Sequence, residues 1–347
     1  MAELFHSRSV LAVTPCLFPP KDATVRYEAS HDSMGTTFDV VAYGPDREHL
    51  AAVINEVFEE IDRLDRQMSK YRPDSELSYI NRNAARHRVV VEPRLFQLMQ
   101  DSVRYSSETE AAFDITIGAL MRSWGFFRRR GRVPAEAERA EILKLTGYQH
   151  VKLDPVARTV RFDANGVELD LGGIGKGCAI HQALEILRSN AVTSALVSSG
   201  MSSIYALGAP PQERAWTITL RDPFDAEKGA DVILLKNCSL STSGNYVNFF
   251  KLNDRTYSHI MDPASGRPVE EMLSTAVMAL QATESEALST AFYVMGPERG
   301  WQYLAGHPNL TVLYYQPAGS NGAFRRVVAQ SNSYGLPPDV VAEVQQK

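Results

Sequence analysis

Leu169-Asp170-Leu171-Gly172-Gly173-Ile174-Gly175-Lys176-Gly177 follows strand-like text and runs directly into a helical pattern that continues to about Ser189. Glycines at such a junction let the backbone approach a ligand, and the free N–H groups of a helix start favour an anion such as a pyrophosphate. A tight turn with no ligand reads equally well from the same residues. The stretch matches neither GxxxxGK[ST] nor GxGxxG, so the P-loop and Rossmann fingerprints are both missing.

The text on either side agrees with that exclusion. Val25 to Ala29 and Thr36 to Tyr43 read as strands around a Met34-Gly35 turn. From Asp46, placed as N-cap, Leu50, Val53, Ile54, Val57, Phe58, Ile61 and Leu64 recur at spacings of three and four, the signature of an amphipathic helix. That helix gives way to a polar, Pro-containing loop, Met68 to Ser75. Further helices are expected at 94–107, 135–145, 176–189, 285–295 and 297–305. Strands are expected at 150–153, 159–162, 195–198, 216–220, 232–235, 275–280 and 310–315. Short strands mixed with helices in no regular strand-helix-strand rhythm point to an α/β chain of the α+β layered kind, not a doubly wound one. Residues 1–24 read as unstructured, 25–331 as the main domain and 332–347 as a tail.

Composition bounds the function. With 44% apolar and 22% charged residues the chain is an ordinary globular one, which rules out disordered and collagen-like classes. A net charge of −5 without long runs of one sign argues against a nucleic-acid binder. The one basic cluster, Arg128, Arg129, Arg130 and Arg132, reads as a solvated loop. Cys16, Cys178 and Cys238 form no CxxC pair and stand at no zinc-ligand spacing from a histidine. No stretch approaches the ~20 apolar residues of a membrane helix. The weak apolar run Val10 to Phe18 is interrupted by Pro15 and makes a poor export signal.

Three further segments carry candidate chemistry. Glu286 and Thr290 stand four apart at the beginning of a helix, hence on one face. With a backbone carbonyl they offer hard oxygen ligands to Mg²⁺ or Ca²⁺; a first-turn carboxylate stabilised by the helix dipole explains the same pattern. His259 lies in Tyr257-Ser258-His259-Ile260-Met261-Asp262-Pro263, a turn-shaped loop. Histidine titrates near neutrality and is able to take a proton from a hydroxyl, although a lone one is more often a structural hydrogen-bonder. Phe113-Asp114 and Trp124-Gly125-Phe126 join an acid to aromatics, suited to a flat heterocycle or to core packing.

Taken in order with Met34-Gly35-Thr36, Met68-Ser69-Lys70-Tyr71, Ser75-Glu76-Leu77, Ser241-Thr242-Ser243-Gly244 and Ala287-Leu288-Ser289-Thr290-Ala291, these segments resemble the FAD:protein FMN transferases, the ApbE-like flavin transferase family, over about residues 27 to 315. The resemblance implies a T-fold-like architecture with mixed or antiparallel sheets, packed helices and an FAD cleft between subdomains. It implies Met34, Tyr71, Ala112, Phe113, Asp114, Gly172, Lys176, Cys178 and Ile260 as cofactor contacts, with FAD as substrate. It also implies Mg²⁺ held by the Gly175 carbonyl, Glu286 and Thr290, with His259 near the reacting phosphate.

The implied reaction moves FMN from FAD onto a Thr or Ser hydroxyl of a target flavoprotein of the redox-pump type, releasing AMP. An FAD pyrophosphatase giving free FMN and AMP, and a non-catalytic FAD-binding protein, are the alternatives. The resemblance points to the extracytoplasmic side of a bacterial inner membrane, and a homodimer is compatible with it. The chain departs from the family's usual residues at Glu286 (Asp), Gly175 (Ala), Cys178 (an aromatic), His181 (an acid) and Met201 (Gly).

Overall fold

A computed structural model describes residues 24–128, 131–200, 202–225, 227–245, 249–253, 255–319, 323–331 and 336–345. Residues 1–23, Arg129, Arg130 and Met201, on which sequence expectations fall, lie outside the described residues. The centre is an eight-stranded sheet of Val25–Ser33, Thr36–Gly44, Ser194–Ser199, Ser203–Leu207, Cys238–Gly244, Ser274–Ala279, Thr311–Pro317 and Phe324–Gln330, adjacent in that order. Every neighbouring pair is antiparallel. Sequence order and spatial order coincide, so the helices and the strands of the smaller sheets, except the last, Val341–Val344, are insertions between neighbouring strands. This bears out the layered α+β expectation, because a regular strand-helix-strand rhythm belongs to parallel sheets.

The largest insertion, between the second and third strands, contributes helices α1 (Arg47–Met68), α2 (Glu76–Asn83), α3 (Pro93–Glu108), α4 (Gly118–Ser123), α5 (Glu136–Leu143) and α6 (Gly175–Ser189). Helix α7 (Ala282–Gly306) joins the sixth and seventh strands. Asp46 caps α1 as expected, accepting from Glu48 N at 2.8 Å and His49 N at 3.4 Å. The apolar stripe of α1 is buried in one cluster with Phe38 and Val40 of the sheet, Ala183 and Leu184 of α6, and Phe292 of α7. Burial of this kind contributes ~25 cal/mol per Å² of apolar area, so the helical face is the main stabilising layer.

The opposite face of the sheet is covered in part by a three-stranded sheet of Trp216–Arg221, Gly229–Lys236 and Val341–Val344. Trp216, Ile233 and Leu235 pack there on Leu240, Ala276, Met278 and Leu313. Strand Ser274–Ala279 is buried at all its positions because its alternating side chains serve both layers. The stretch expected as a tail contributes to this covering: Val341–Val344 pairs antiparallel with Gly229–Lys236, and Ala342 is buried. The two helices expected at 285–295 and 297–305 are both present: the helical run labelled α7 breaks between them at Gly296, whose backbone is not helical (φ 69°, ψ 177°), and the second helix starts at Pro297, a residue that cannot donate to a preceding turn.

Candidate active site

The glycine-rich turn is fixed from two sides. Asn81 of α2 brackets Leu169, donating from Nδ2 to its carbonyl at 3.0 Å and accepting from its N–H at 2.8 Å. Asp170 N donates to the Ile115 carbonyl at 2.7 Å. The Asp170 carboxylate accepts from Gly172 N at 2.9 Å and forms an ion pair with Lys70, which ties the Met68–Tyr71 loop to the turn. The Lys70 ammonium lies 4.4 Å from the centre of the Phe127 ring and 5.2 Å from that of Tyr71, cation–π distances.

Helix α6 begins without a side-chain cap from its own N-cap residue, Ile174. The cap comes from across the structure: Glu286 Oε2 of α7 accepts from Gly177 N at 2.5 Å. Its other oxygen, Oε1, lies 2.5 Å from Lys176 Nζ, without hydrogen-bond alignment. The Glu286 side chain is only 5% exposed, and a buried carboxylate persists only where such partners compensate its desolvation. Gly177 is required for the approach, because a Cβ there would lie 2.8 Å from the Ala282 carbonyl carbon.

Thr290, one turn beyond Glu286, faces the same place. A Cβ added at Gly173 would lie 3.5 Å from Thr290 Oγ1 and 3.2 Å from Phe113 Cε2, and one at Gly175 would lie 3.9 Å from Met68 Cε. The structure thus brings together the glycine turn, Phe113, Met68, Lys176, Glu286 and Thr290. Gly172 and Gly175 belong to the turn itself, and Ala112 is buried beside Phe113.

The remaining expected residues are placed as follows. The Asp114 carboxylate is buried and accepts from Thr116 N at 2.8 Å, Thr116 Oγ1 at 2.6 Å and Tyr148 N at 2.7 Å. Burial raises its pKa above the usual carboxylate range, opposed by those hydrogen bonds; in this arrangement it organises local backbone. Cys178 is buried, and burial, helped by the charge of Glu286, pushes its thiol up to about 12. A thiol so disposed is a packing group and no nucleophile.

Tyr71 is 64% exposed and meets Phe127 edge-on at 5.9 Å. Met34 occupies the first hairpin turn at φ 51°, beside Gly35 at φ 73°, and its side chain packs on the core. His259 is half-buried between Ser258, which ends a strand, and the buried Ile260. Ile260 N donates to Ser258 Oγ at 3.1 Å and its carbonyl accepts from Val269 N at 3.0 Å, which holds the loop on both sides of His259. Trp124 Nε1 donates to the Gly266 carbonyl at 2.9 Å, joining the aromatic segment to the same loop.

Three features of the site escape the sequence reading: the Lys70–Asp170 pair, the capping of α6 by Glu286, and the contacts of Ser243. The first two join residues 100 and 109 positions apart, for which spacing carries no signal.

Fold and site together define a class, an α+β layered protein in which a glycine-rich helix start faces a buried carboxylate and a hydroxyl from a second helix. The ApbE family pattern matches residues 34–314, and the chain belongs to the ApbE family. A protein of Treponema pallidum named FAD:protein FMN transferase is 31% identical over 281 residues, 77% of each chain. One of the same name from Klebsiella pneumoniae is 31% identical, covering 77% of this chain and 83% of its own.

Among solved structures, the ApbE protein of Thermotoga maritima superposes with a TM-score of 0.80 at 28% identity, covering 89% of this chain and 97% of its own. The flavinyl transferase ApbE of Pseudomonas stutzeri, in its apo form, gives a TM-score of 0.76 at 28% identity, covering 88% and 95%. The shared architecture bears out the T-fold-like expectation in its antiparallel sheets and packed helices.

Proposed function

We propose that this chain is an FAD:protein FMN transferase that moves the FMN half of FAD onto a Thr or Ser hydroxyl of a target flavoprotein and releases AMP. The observation that carries the reading is the convergence of Gly173, Phe113, Glu286 and Thr290 at the start of α6. A helix start with adjacent glycines suits a diphosphate, and an aromatic beside it suits the attached heterocycles.

The residues fit a divalent cation. A buried carboxylate oxygen lacks an aligned hydrogen-bond donor and already has a cation, the Lys176 ammonium, beside it. Thr290 Oγ1 and the Gly175 carbonyl would complete a hard-oxygen set of the kind Mg²⁺ takes. Among the described residues no group of three or more His, Cys, Asp or Glu side chains is arranged to hold a metal ion, but this set needs only one carboxylate. When bound, Mg²⁺ supplies charge neutralisation at the diphosphate.

The chain's own residues account for the rest. The acceptor hydroxyl attacks the FMN phosphorus as His259 takes its proton; a phosphoester P–O bond forms, the anhydride P–O bond breaks, and AMP leaves with the electron pair. Lys176 moves from Glu286 toward the phosphates, and Met34, Tyr71, Phe113 and Ile260 hold the flavin and nucleotide.

No helix of the described residues is long and apolar enough to cross a membrane. A redox-pump type of target, an extracytoplasmic site of action and a homodimer remain parts of this proposal and rest on the family. The test of the residue roles is flavin transfer by purified His259→Ala and Thr290→Ala. Both are expected to lose it while keeping the wild-type circular dichroism spectrum, and normal transfer by either overturns that residue's role.

A further inference from the structure

Strand Cys238–Gly244 carries Ser239, Ser241 and Ser243 against the first turns of α7. Their hydroxyls fall into two separate sets. Ser239 and Ser241 both meet Ser285 Oγ, the latter at 2.8 Å, and Ser285 Oγ also lies 3.1 Å from the Ala282 carbonyl. Ser243 Oγ lies 2.9 Å from Ser289 Oγ and 3.3 Å from Thr290 Oγ1, and Ser289 Oγ lies 2.8 Å from the Glu286 carbonyl oxygen.

The second set has a direction. A carbonyl oxygen only accepts, so the proton between Ser289 and Glu286 is the Ser289 hydroxyl's. Ser289 has one proton, and toward Ser243 it therefore presents a lone pair. Ser243 must donate to it, and having spent its own proton it accepts from Thr290. The Thr290 proton thus points inward, and its remaining lone pairs point away from Ser243, out of the strand–helix interface. Gly173 of the glycine-rich turn lies beside Thr290, where a Cβ would be 3.5 Å from Oγ1. Thr275 steadies the relay, donating from Oγ1 to the Ser289 carbonyl at 2.8 Å from the strand paired with Ser243.

We propose that Ser243 is a positioning residue that sets the proton direction of Thr290 and so presents that hydroxyl as a pure acceptor to a divalent cation. The inference rests on the reading of Thr290 as a metal ligand. A hydroxyl free to rotate spends part of its time with the proton toward the cation, and a fixed acceptor behind it removes that state. Partners of this kind, lying behind the ligand, are worth on the order of 10–100-fold in metal affinity.

The experiment titrates Mg²⁺ calorimetrically into the full chain saturated with FAD, without acceptor protein, and measures FAD affinity separately in EDTA by flavin fluorescence. Ser243→Ala is expected to weaken Mg²⁺ about tenfold or more and to leave FAD affinity in EDTA unchanged. Ser243→Thr keeps the hydroxyl and is expected to restore binding. Ser241→Ala removes a comparable buried hydrogen bond that does not reach Thr290, and is expected to bind Mg²⁺ like wild type.

Thr290→Ala separates the two claims. If it weakens Mg²⁺ and Ser243→Ala does not, the Ser243 role is overturned and the metal reading stands. If Thr290→Ala itself binds Mg²⁺ normally, the ligand reading falls and the inference falls with it. Equal losses in Ser241→Ala and Ser243→Ala would show a packing effect and overturn the relay. Should Ser243→Ala fail to fold, Ser243→Cys, whose sulfur is a weak acceptor, is expected to weaken Mg²⁺ in the same direction, and wild-type binding by it overturns the proposal.

Discussion

Replacing Lys70 by Met removes one half of an ion pair whose two side chains are 14% and 4% exposed. Met keeps most of the length and apolar volume of the lysine stem, so the change isolates the charge. Asp170 would be left buried with the Gly172 N–H as its only described hydrogen-bond donor. Breaking a buried pair on one side costs about 3–5 kcal/mol, and the residual exposure of Lys70 places this case at about 3 kcal/mol. For a chain of 347 residues, at about 2.1 cal/mol/K of unfolding entropy per residue and so roughly 1.4 °C per kcal/mol, the melting temperature should fall by roughly 4 °C.

The pair also anchors Tyr71, so KM for FAD is expected to rise with little change in kcat. Differential scanning fluorimetry and steady-state kinetics read both effects. Lys70→Met/Asp170→Leu, which removes both charges, should recover part of the lost stability. A Lys70→Met melting temperature within about 1 °C of wild type would refute the claim that this pair holds the loop to the turn.

Gly177→Ala would drive a methyl into the Ala282 carbonyl and to 2.9 Å from Thr283 Cα. Because backbone is the obstacle, α6 and α7 must separate, with an expected loss of about 1–3 kcal/mol in urea unfolding and of the Glu286 cap together with transfer activity. Glu60 gives a pH dependence: its hydrogen bonds from Arg63, aided by the charge of Arg94, hold its carboxyl below the usual range against the opposing effect of burial. A folded pKa below the unfolded one means stability that is present above the ordinary carboxylate range and lost as pH falls through the folded value. Glu60→Gln should therefore melt lower than wild type near neutral pH, with the deficit shrinking as the solution is acidified below that range; a constant difference throughout would contradict the assignment.

Helix α1 was legible because its burial pattern is its sequence pattern: Leu50 through Met68 supply the face turned to the core, and Asp46 caps the start. Strand Cys238–Gly244 was not among the expected strands, because serine at every second position, Ser239, Ser241 and Ser243, replaces the apolar face by which a strand is recognised. They are tolerated in the interior because α7 offers them Ser285, Ser289 and Thr290 as partners, a match that exists only once the chain has folded. Strand Val341–Val344 is short, and its partner Gly229–Lys236 lies far back along the chain, so nothing local announces the pairing.

At the site, the glycine turn and the Glu286–Thr290 face could be named from local spacing. The cap that Glu286 gives to Gly177, and the Lys176 ammonium beside its other oxygen, could not. Met34 is linked to the assembled residues by no described hydrogen bond or ring contact, so its part in binding flavin rests on the family.

Flavin transfer is read most plainly from the intact mass of a flavoprotein domain bearing an acceptor threonine after incubation with this chain, FAD and Mg²⁺, with and without chelator. A transferase gives a mass gain equal to an esterified FMN, matched by AMP and abolished by the chelator, and that is the expected result. An unchanged acceptor mass with free FMN and AMP in solution would identify a hydrolase instead, and bound FAD left intact would identify a flavin-binding protein; either result contradicts the transferase.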